Sequence, residues 1–205
     1  KIRVIPNGVD SNRFNNFNSD NDCEDNNEIV VGTIARVNPI KDVKTLIRAA
    51  KMVTDKNSKV KFEYIGPEED RDYSLESKEL VEDLNLVGKF NFIPETNSPE
   101  DTYSRFSLFA LSSISEAQPL AILEAMSSGV PVVATRVGGV PEPVEGAGLL
   151  VNPGDYEKLA KSILYFLNNP SKKSDASKIS RERIEKFYSE RIFLDSYQKL
   201  YANFF

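Results

Sequence analysis

Short runs of apolar residues recur along the chain, separated by turn residues and by stretches in which apolar positions have helical spacing. The runs are rich in Val, Ile and Phe and end near Gly, Pro or Asn, which is typical of buried strands. We predict strands over residues 28–34, 60–65, 89–93, 107–111, 130–134 and 148–151.

The stretches between these runs have the pattern of amphipathic helices. In the first of them Val43, Leu46, Ile47 and Ala50 fall on one helical face. The predicted helices cover residues 42–54, 73–84, 119–127, 155–167, 174–187 and 189–202, and a further short helix begins at Ser98. Because strands and helices alternate, we predict an α/β fold with a doubly wound, Rossmann-like parallel sheet. Ligands of such sheets bind at the carboxyl ends of the strands.

Composition and charge exclude several functions. The chain has 205 residues, 40% of them hydrophobic, which is enough for one sizeable core. The net charge is −5 and there is no basic stripe, so nucleic acid is not expected as a ligand. Histidine is absent, which removes Ser-His-Asp and Cys-His catalysis and the commonest zinc ligand. The single cysteine, Cys23, excludes an internal disulfide and favours a cytoplasmic location.

The ends of the chain and its hydropathy give two further expectations. The chain begins K-I-R-V-I-P without Met, so we expect a piece of a longer protein. No apolar run approaches the roughly 18 residues that a membrane span needs.

The segment at residues 115–129, S-E-A-Q-P-L-A-I-L-E-A-M-S-S-G, is the most informative part of the sequence. Pro119 suits the first turn of a helix, which places Glu116 in a loop and Glu124 one turn inside the helix. The unpaired amides of a helix N-terminus attract phosphate, whereas carboxylates accept hydrogen bonds from hydroxyls. Together these groups suit a nucleotide sugar.

The glutamate spacing alone is not specific. The same interval separates Glu68 from Glu76 and Glu182 from Glu190. In the alternative interpretation, Glu124 only complements the helix dipole and Glu116 is a solvated loop charge.

A second candidate element is the loop after the first strand, which contains Gly32, Arg36 and Lys41. Glycine allows a ligand to approach the backbone, and the two cations can bind phosphate, Arg through its planar fork and Lys as a point charge. The alternative is that both cations are solvated, and Asp42 is more simply a helix cap than a ligand.

Three weaker signals lie at other predicted strand ends. The backbone of Phe92 and Ile93 is a candidate contact for a nucleobase, although such side chains usually belong to the core. Gly138-Gly139 predicts a tight turn with free amides. Asp70-x-Asp72 is interpreted as an exposed loop and Asp20-x-Asp22 lacks the rest of a calcium loop, so no metal site is predicted.

The motifs in this order resemble the C-terminal half of a GT-B glycosyltransferase of retaining family 4. The resemblance covers essentially the whole chain. Its motifs are V-I-P-N-G-V-D at residues 4–10, G-T-I-A-R-V-N-P-I-K-D at 32–42, the E-x7-E segment at 116–124 with V-P-V-V-A-T after it, and V-G-G-V-P-E at 137–142. Many relatives have Gly where this chain has Ala117. Alanine adopts fewer backbone conformations than glycine, which bears on how closely the sugar can approach the backbone there.

The resemblance implies roles for single residues. Arg36 and Lys41 would neutralise the donor diphosphate, Glu116 would contact the donor sugar, and Glu124 would hold the ribose hydroxyls. Amides of the segment Ala117, Gln118, Pro119 and Leu120 would contact sugar and phosphate. No cofactor or metal is implied, since the donor nucleotide sugar is itself the substrate. Cationic neighbours would keep both glutamates ionised.

A finer resemblance, carried by R-V-N-P-I-K-D, G-P-E-E-D-R-D-Y and S-I-S-E-A-Q-P-L, is to the branch that polymerises the Pel exopolysaccharide from UDP-glucose. We therefore expect a hexosyltransferase of polysaccharide biosynthesis that is inactive as this piece alone. Its partners would be a UDP-sugar, a glycan acceptor bound by a missing N-terminal domain, and a candidate synthesis complex at the inner face of the membrane.

Three segments and several rival functions follow from the same sequence. Residues 1–27 are expected to form an entry segment and a mobile Asn/Asp-rich loop, 28–187 the nucleotide-sugar-binding domain, and 188–205 a helix that packs on the missing domain or closes this one. A nucleotide-sugar epimerase and a non-catalytic sugar-nucleotide-binding module remain alternatives. A dinucleotide-binding dehydrogenase is disfavoured, because no G-x-G-x-x-G follows the first strand.

Overall fold

The computed structural model describes residues 2–15 and 28–202. Cys23 and the Asp20-x-Asp22 pair lie outside the described residues. The strands are β1 (Ile29–Ile34), β2 (Val60–Ile65), β3 (Phe90–Ile93), β4 (Leu108–Leu111), β5 (Val132–Thr135) and β6 (Leu149–Val151). The helices are α1 (Val43–Lys56), α2 (Arg71–Asp83), α3 (Pro99–Ser104), α4 (Leu120–Ser127), α5 (Pro141–Val144), α6 (Tyr156–Asn168), α7 (Pro170–Arg183) and α8 (Glu190–Ala202).

The six strands form one parallel sheet in the order β3-β2-β1-β4-β5-β6. The strand order reverses between β1 and β4, and such a reversal opens a crevice beyond the carboxyl ends of these two strands. The prediction of a doubly wound α/β sheet is confirmed.

Two apolar clusters cover the two faces of this sheet. On one face, α1 and α6 pack over residues such as Val31, Phe62 and Leu108. On the other face, α3, α4 and α5 pack over residues such as Ile65 and Phe109. Helices therefore cover both faces of the sheet, and the loops at its carboxyl edge begin at buried strands.

Aspartates begin three of the helices. The side chains of Asp42, Asp70 and Asp155 each accept a hydrogen bond from the backbone N–H three residues later, at 3.4, 3.0 and 2.8 Å. A carboxylate here satisfies an otherwise unpaired donor and complements the helix dipole. Asp70 of the D-x-D pair is thus a cap and Asp72 lies in the first turn of α2, whereas we predicted an exposed loop.

Four local features differ from the sequence expectations. A 3₁₀ turn at Pro39–Lys41 and the short helix α5 were not predicted. The helix predicted over residues 174–187 begins at Pro170 and ends in a π-helical turn, Ile184–Tyr188. Residues 11–14 form a turn that buries Phe14, within the stretch 1–27 for which we predicted an entry segment and a mobile Asn/Asp-rich loop.

The N-terminal and C-terminal segments meet in space. Val9 and Ser189 form a parallel bridge, in which the N–H of Val9 donates to the Tyr188 carbonyl and the N–H of Glu190 donates to the Val9 carbonyl. Among the described residues, every helix falls short of the length and hydrophobicity that crossing a bilayer would require.

Candidate functional site

The two loops singled out in the sequence flank the crevice between β1 and β4. The loop after β1 carries Arg36 and Lys41, and the loop after β4 carries Glu116 and leads into α4. The Lys41 ammonium donates to Glu116 Oε1 at 2.5 Å, and both side chains are largely buried, at 16% and 8% exposed. Residues 75 positions apart are thus joined at the switch point of the sheet.

The ion pair is held by hydrogen bonds between the same two loops. Ser113 Oγ donates to Glu116 Oε1 at 2.7 Å, so one carboxylate oxygen receives two donors. Ser112 Oγ lies 3.0 Å from the carbonyl of Lys41 and 2.9 Å from that of Asp42. Asp42 has a φ of 45°, an unusual conformation for a residue with a side chain, and its side chain caps α1. Lys41 is therefore aimed at Glu116 by a fixed turn.

The Gly138-Gly139 turn packs directly on the Glu116 loop. A Cβ at Gly138, where φ is +46°, would lie 1.6 Å from the Glu116 carbonyl oxygen, and one at Gly139 would lie 2.2 Å from that of Ala117. The N–H of Gly139 donates to the Ala117 carbonyl at 2.8 Å. The prediction of free amides is therefore wrong for Gly139, because this turn braces the Glu116 loop.

The segment from Ala117 to Leu120 differs in detail from its predicted role. Pro119 is the extended N-cap of α4, not its first helical residue, and as a proline it has no N–H to donate. Gln118 is tied to the N-terminal segment: its Oε1 accepts from the Asn7 N–H at 2.5 Å and its carbonyl accepts from Asn7 Nδ2 at 3.1 Å. Ala117 is exposed and has a negative φ, so its backbone conformation is one that alanine adopts without strain.

Arg36 lies at the open side of the crevice, where it is paired with Glu69. The Glu69 carboxylate accepts from Arg36 Nη1 through one oxygen and from Asn38 Nδ2 through the other. Tyr64 is buried, and its hydroxyl donates to the Arg36 carbonyl at 3.0 Å, which fixes the backbone of the loop. The Arg36 side chain as a whole stays more than half exposed, at 58%.

Glu124 is the fifth residue of α4 and is partly buried. Its Oε2 accepts a hydrogen bond of 2.8 Å from the hydroxyl of Tyr103. Burial raises the pKa of the Glu124 carboxyl, and the Tyr103 hydrogen bond and the more distant Arg13 oppose this only in part. A cation thus acts in the expected direction through Arg13, but the direct partner of this carboxylate is a phenol.

Gly32 has a different role from the predicted one. It lies inside β1, and a Cβ there would be 2.2 Å from the ring of Phe106. The missing side chain thus makes room for the core of this domain, and ligand approach at Gly32 finds no support.

Phe92 and Ile93 lie in β3, at the edge of the sheet. The Phe92 ring packs 5.8 Å from Tyr64 and 5.3 Å from Phe90, and the Ile93 carbonyl accepts from the Gly66 N–H at 2.9 Å. Both side chains pack against the core clusters, which favours the core interpretation, while a base contact through their backbone stays a prediction.

Sequence reasoning missed four residues that shape this crevice: Ser113, Glu69, Tyr64 and Tyr103. Ser113 stands three residues before Glu116 at a strand exit, a spacing that could have indicated the hydrogen bond. Glu69 and Tyr103 gave no signal, because their partners are 33 and 21 positions away and the contacts depend on the tertiary fold. Within residues 2–15 and 28–202, no group of three or more Cys, Asp or Glu side chains could hold a metal.

The fold is that of the C-terminal domain of a GT-B glycosyltransferase. Residues 15–183 match the family described as glycosyl transferases group 1, and the chain belongs to that family.

Relatives of known sequence support the same assignment. The chain is 31% identical over 199 residues to the sulfoquinovosyl transferase SQD2 of Arabidopsis thaliana, covering 91% of this chain and 37% of that protein. It is 30% identical over 177 residues to a poly(ribitol-phosphate) alpha-N-acetylglucosaminyltransferase of Staphylococcus aureus, covering 85% and 35%. The chain therefore spans a little over a third of these two relatives.

Solved structures show the same fold. The crystal structure of HepE from Anabaena in complex with UDP and glucose superposes with a TM-score of 0.89 at 25% identity, covering 98% of this chain and 56% of that one. The C-terminal domain of a group 1 glycosyl transferase from Francisella tularensis superposes with a TM-score of 0.80 at 23% identity, covering 89% of this chain and all of that one. The second comparison concerns the fold alone.

Proposed function

We propose that the intact protein is a retaining hexosyltransferase that takes a hexose from UDP-glucose and transfers it to a glycan acceptor in polysaccharide biosynthesis. The described domain would hold the donor. The observation that carries this proposal is the Lys41–Glu116 ion pair, because it brings the predicted phosphate cation and the predicted sugar carboxylate to one place in the crevice.

Donor binding would exchange the partners of the two cations. Without ligand, Lys41 is paired with Glu116 and Arg36 with Glu69. A diphosphate can replace each carboxylate as an anion of similar geometry. Movement of Lys41 to phosphate would then free Glu116 to accept hydrogen bonds from sugar hydroxyls.

The chemical contribution of this site is electrostatic. When the bond from the anomeric carbon to the diphosphate breaks, negative charge grows on the leaving group. Arg36, Lys41 and the N-terminus of α4 would stabilise that charge, with Lys41 acting from a largely buried position. No acid–base pair of the glycosidase kind is required.

The choice of donor rests on related structures. HepE, at 25 to 26% identity, has been solved in complex with UDP and glucose and in complex with UDP-glucose. Glu124 supports a ribose-containing donor, since a partly buried carboxylate suits a pair of vicinal hydroxyls. The R-V-N-P-I-K-D and S-I-S-E-A-Q-P-L motifs favour the Pel exopolysaccharide branch.

The acceptor would be bound by a further domain. The relatives are longer than this chain, and α8 leaves Leu194 at 50%, Tyr197 at 38% and Tyr201 at 60% exposed. We place that face against the N-terminal domain of the intact protein, where a complex at the inner face of the membrane would supply the acceptor.

Calorimetry of the chain against UDP-glucose, GDP-mannose and ADP-glucose tests the proposal. We expect binding of UDP-glucose with a preference over the other two, and no turnover by this piece alone. Glu116→Gln is the variant that tests the role of the Glu116 charge, because it keeps the size of the side chain and removes its charge. A preference for GDP-mannose or ADP-glucose would overturn the donor assignment, and no binding of any of the three would overturn the site.

The intact protein separates transfer from the rival functions. Release of UDP that depends on an added glycan acceptor supports transfer. Conversion of UDP-glucose to an epimer, or binding without any reaction, would instead favour the epimerase or the binding module.

A further inference from the structure

Tyr103 makes a buried contact that the proposed chemistry does not explain. Its side chain is fully buried in α3, and its hydroxyl donates to Glu124 Oε2 at 2.8 Å. The same hydroxyl lies 3.2 Å from the Ala121 carbonyl, one turn earlier in α4. The shorter contact is to the carboxylate, so the phenol and the acid form one unit across two helices.

The Tyr103 ring is held in place by aromatic neighbours from three parts of the chain. Phe14 of the N-terminal segment lies edge-on at 5.8 Å, Phe106 lies edge-on at 5.9 Å, and Phe109 of β4 lies at 6.0 Å. Edge-to-face packing of this kind fixes ring orientation. The hydroxyl therefore has a set position before any ligand arrives.

Only one of the two Glu124 oxygens is used in this way. Within the described ranges 2–15 and 28–202, no protein donor reaches Oε1, and Oε1 is not one of the buried polar atoms without a partner. Oε2 is thus fixed, and Oε1 has no donor among the described residues that a ligand would have to displace. A carboxylate with one oxygen anchored and one open presents a single preset acceptor.

We propose that Tyr103 is a positioning residue for the donor ribose: it fixes Glu124 so that Oε1 meets a ribose hydroxyl. This inference rests on the proposed function, because it assigns the open oxygen to the nucleotide of that donor. The benefit is preorganisation, since a freely rotating glutamate loses side-chain entropy on binding and an anchored one has already lost it.

The test is UDP binding by the chain and by Tyr103→Phe, measured with UDP and with 2′,3′-dideoxy-UDP, which lacks the ribose hydroxyls. We expect Tyr103→Phe to weaken UDP binding by about tenfold, as for the loss of a hydrogen bond to a charged group, and to leave dideoxy-UDP binding unchanged. In a Glu124→Gln background, Tyr103→Phe should weaken UDP binding by clearly less than tenfold, because the two residues act together.

Tyr73→Phe is the matched control. This variant also removes a tyrosine hydroxyl, but Tyr73 packs against the apolar cluster on the face of the sheet opposite to Tyr103. The Tyr73→Phe variant should bind UDP as the unmodified chain does.

The outcomes separate the two hypotheses. In one outcome, the unmodified chain binds UDP while Tyr103→Phe loses the same factor in affinity for UDP and for dideoxy-UDP. That result would show a merely structural role for Tyr103 and would overturn the positioning role alone. An unchanged UDP affinity in Tyr103→Phe would do the same. Failure of the unmodified chain to bind UDP at all would overturn the proposed function, and the positioning role with it.

Discussion

Two ion pairs tie down the loop after β1, and they differ mainly in burial. Lys41 and Glu116 are 16% and 8% exposed, while Arg36 and Glu69 are 58% and 43% exposed. Both join a cation of this loop to a carboxylate of another strand exit. From sequence spacing and charge alone, the two ion pairs would be expected to matter equally for the structure of the crevice.

Burial gives the two pairs different consequences. A charge left unpaired in a buried place is strongly destabilising, whereas an exposed pair is solvated and screened and contributes little. We therefore expect the Lys41–Glu116 pair to determine the shape of the crevice. The Arg36–Glu69 pair should mainly adjust how readily an anion enters.

Removal of the buried cation should give the largest effect. Lys41→Met leaves Glu116 buried, with the Ser113 hydroxyl as its one remaining side-chain donor among residues 2–15 and 28–202. We expect a loss of about 3 kcal/mol in the free energy of unfolding, measured by urea denaturation. The double variant Lys41→Met/Glu116→Gln carries no buried charge and should recover most of the loss. Equal stability of the single variant and the unmodified chain would show that the pair is not truly buried in solution.

The turn that braces Glu116 should be the next most sensitive. Gly138→Ala places a Cβ against the Glu116 carbonyl, and we expect it to cost about 2 kcal/mol more than Gly154→Ala. Gly154 is the matched control, because its φ of +75° strains alanine as well but no atom lies within 4 Å of a Cβ there. Similar losses for both variants would mean that backbone strain, and not contact with the Glu116 loop, explains the glycine.

Glu124 allows a pH test of the same burial argument. Its pKa is raised in the folded state by burial, although the Tyr103 hydroxyl and Arg13 lower it in part and Glu100 raises it slightly. The ionised carboxylate therefore costs stability as pH rises from the unfolded pKa of about 4.3, and the cost is complete above the folded pKa.

Glu124→Gln removes this cost, because the amide does not ionise in this range. We expect its Tm relative to that of the unmodified chain to increase between about pH 4 and pH 7, while UDP binding weakens. A Tm difference that is constant over this range, or that shrinks as pH rises, would contradict the burial of the carboxylate.

The exposed pair should give the smallest change in stability. Glu69→Gln is expected to alter the free energy of unfolding by less than about 0.5 kcal/mol. Because it releases Arg36, it should strengthen UDP binding by about threefold at low ionic strength, an advantage that fades in about 1 M salt. Weaker binding in this variant would mean that Glu69 orients Arg36 toward the ligand instead of competing with it.

The architecture could be predicted from the sequence, because the patterns that define strands and helices are local. Strand β2 could be located from its apolar run and helix α1 from its apolar face and capping aspartate, and the alternation of strands and helices implied the parallel sheet. Asp42 was correctly interpreted as a cap. Local patterns also placed Lys41 and Glu116 on loops at the same edge of the sheet.

Contacts between side chains that are distant in the sequence could not be predicted in the same way. Glu69 was part of an acidic loop with no sign of its contact to Arg36, and no sequence pattern marked Tyr103 as a partner of Glu124. Gly32 was assigned to a ligand, since sequence does not show that Phe106 occupies the space above it. The pKa of Glu124 likewise depends on burial by helices that only the tertiary structure brings together.

A crystal structure of this chain with bound UDP tests the central claim most directly. We expect the diphosphate within hydrogen-bonding distance of Lys41 Nζ and the Lys41–Glu116 contact of 2.5 Å opened, with the ribose against Glu124. A nucleotide bound away from the crevice between β1 and β4, with that contact intact, would contradict the account.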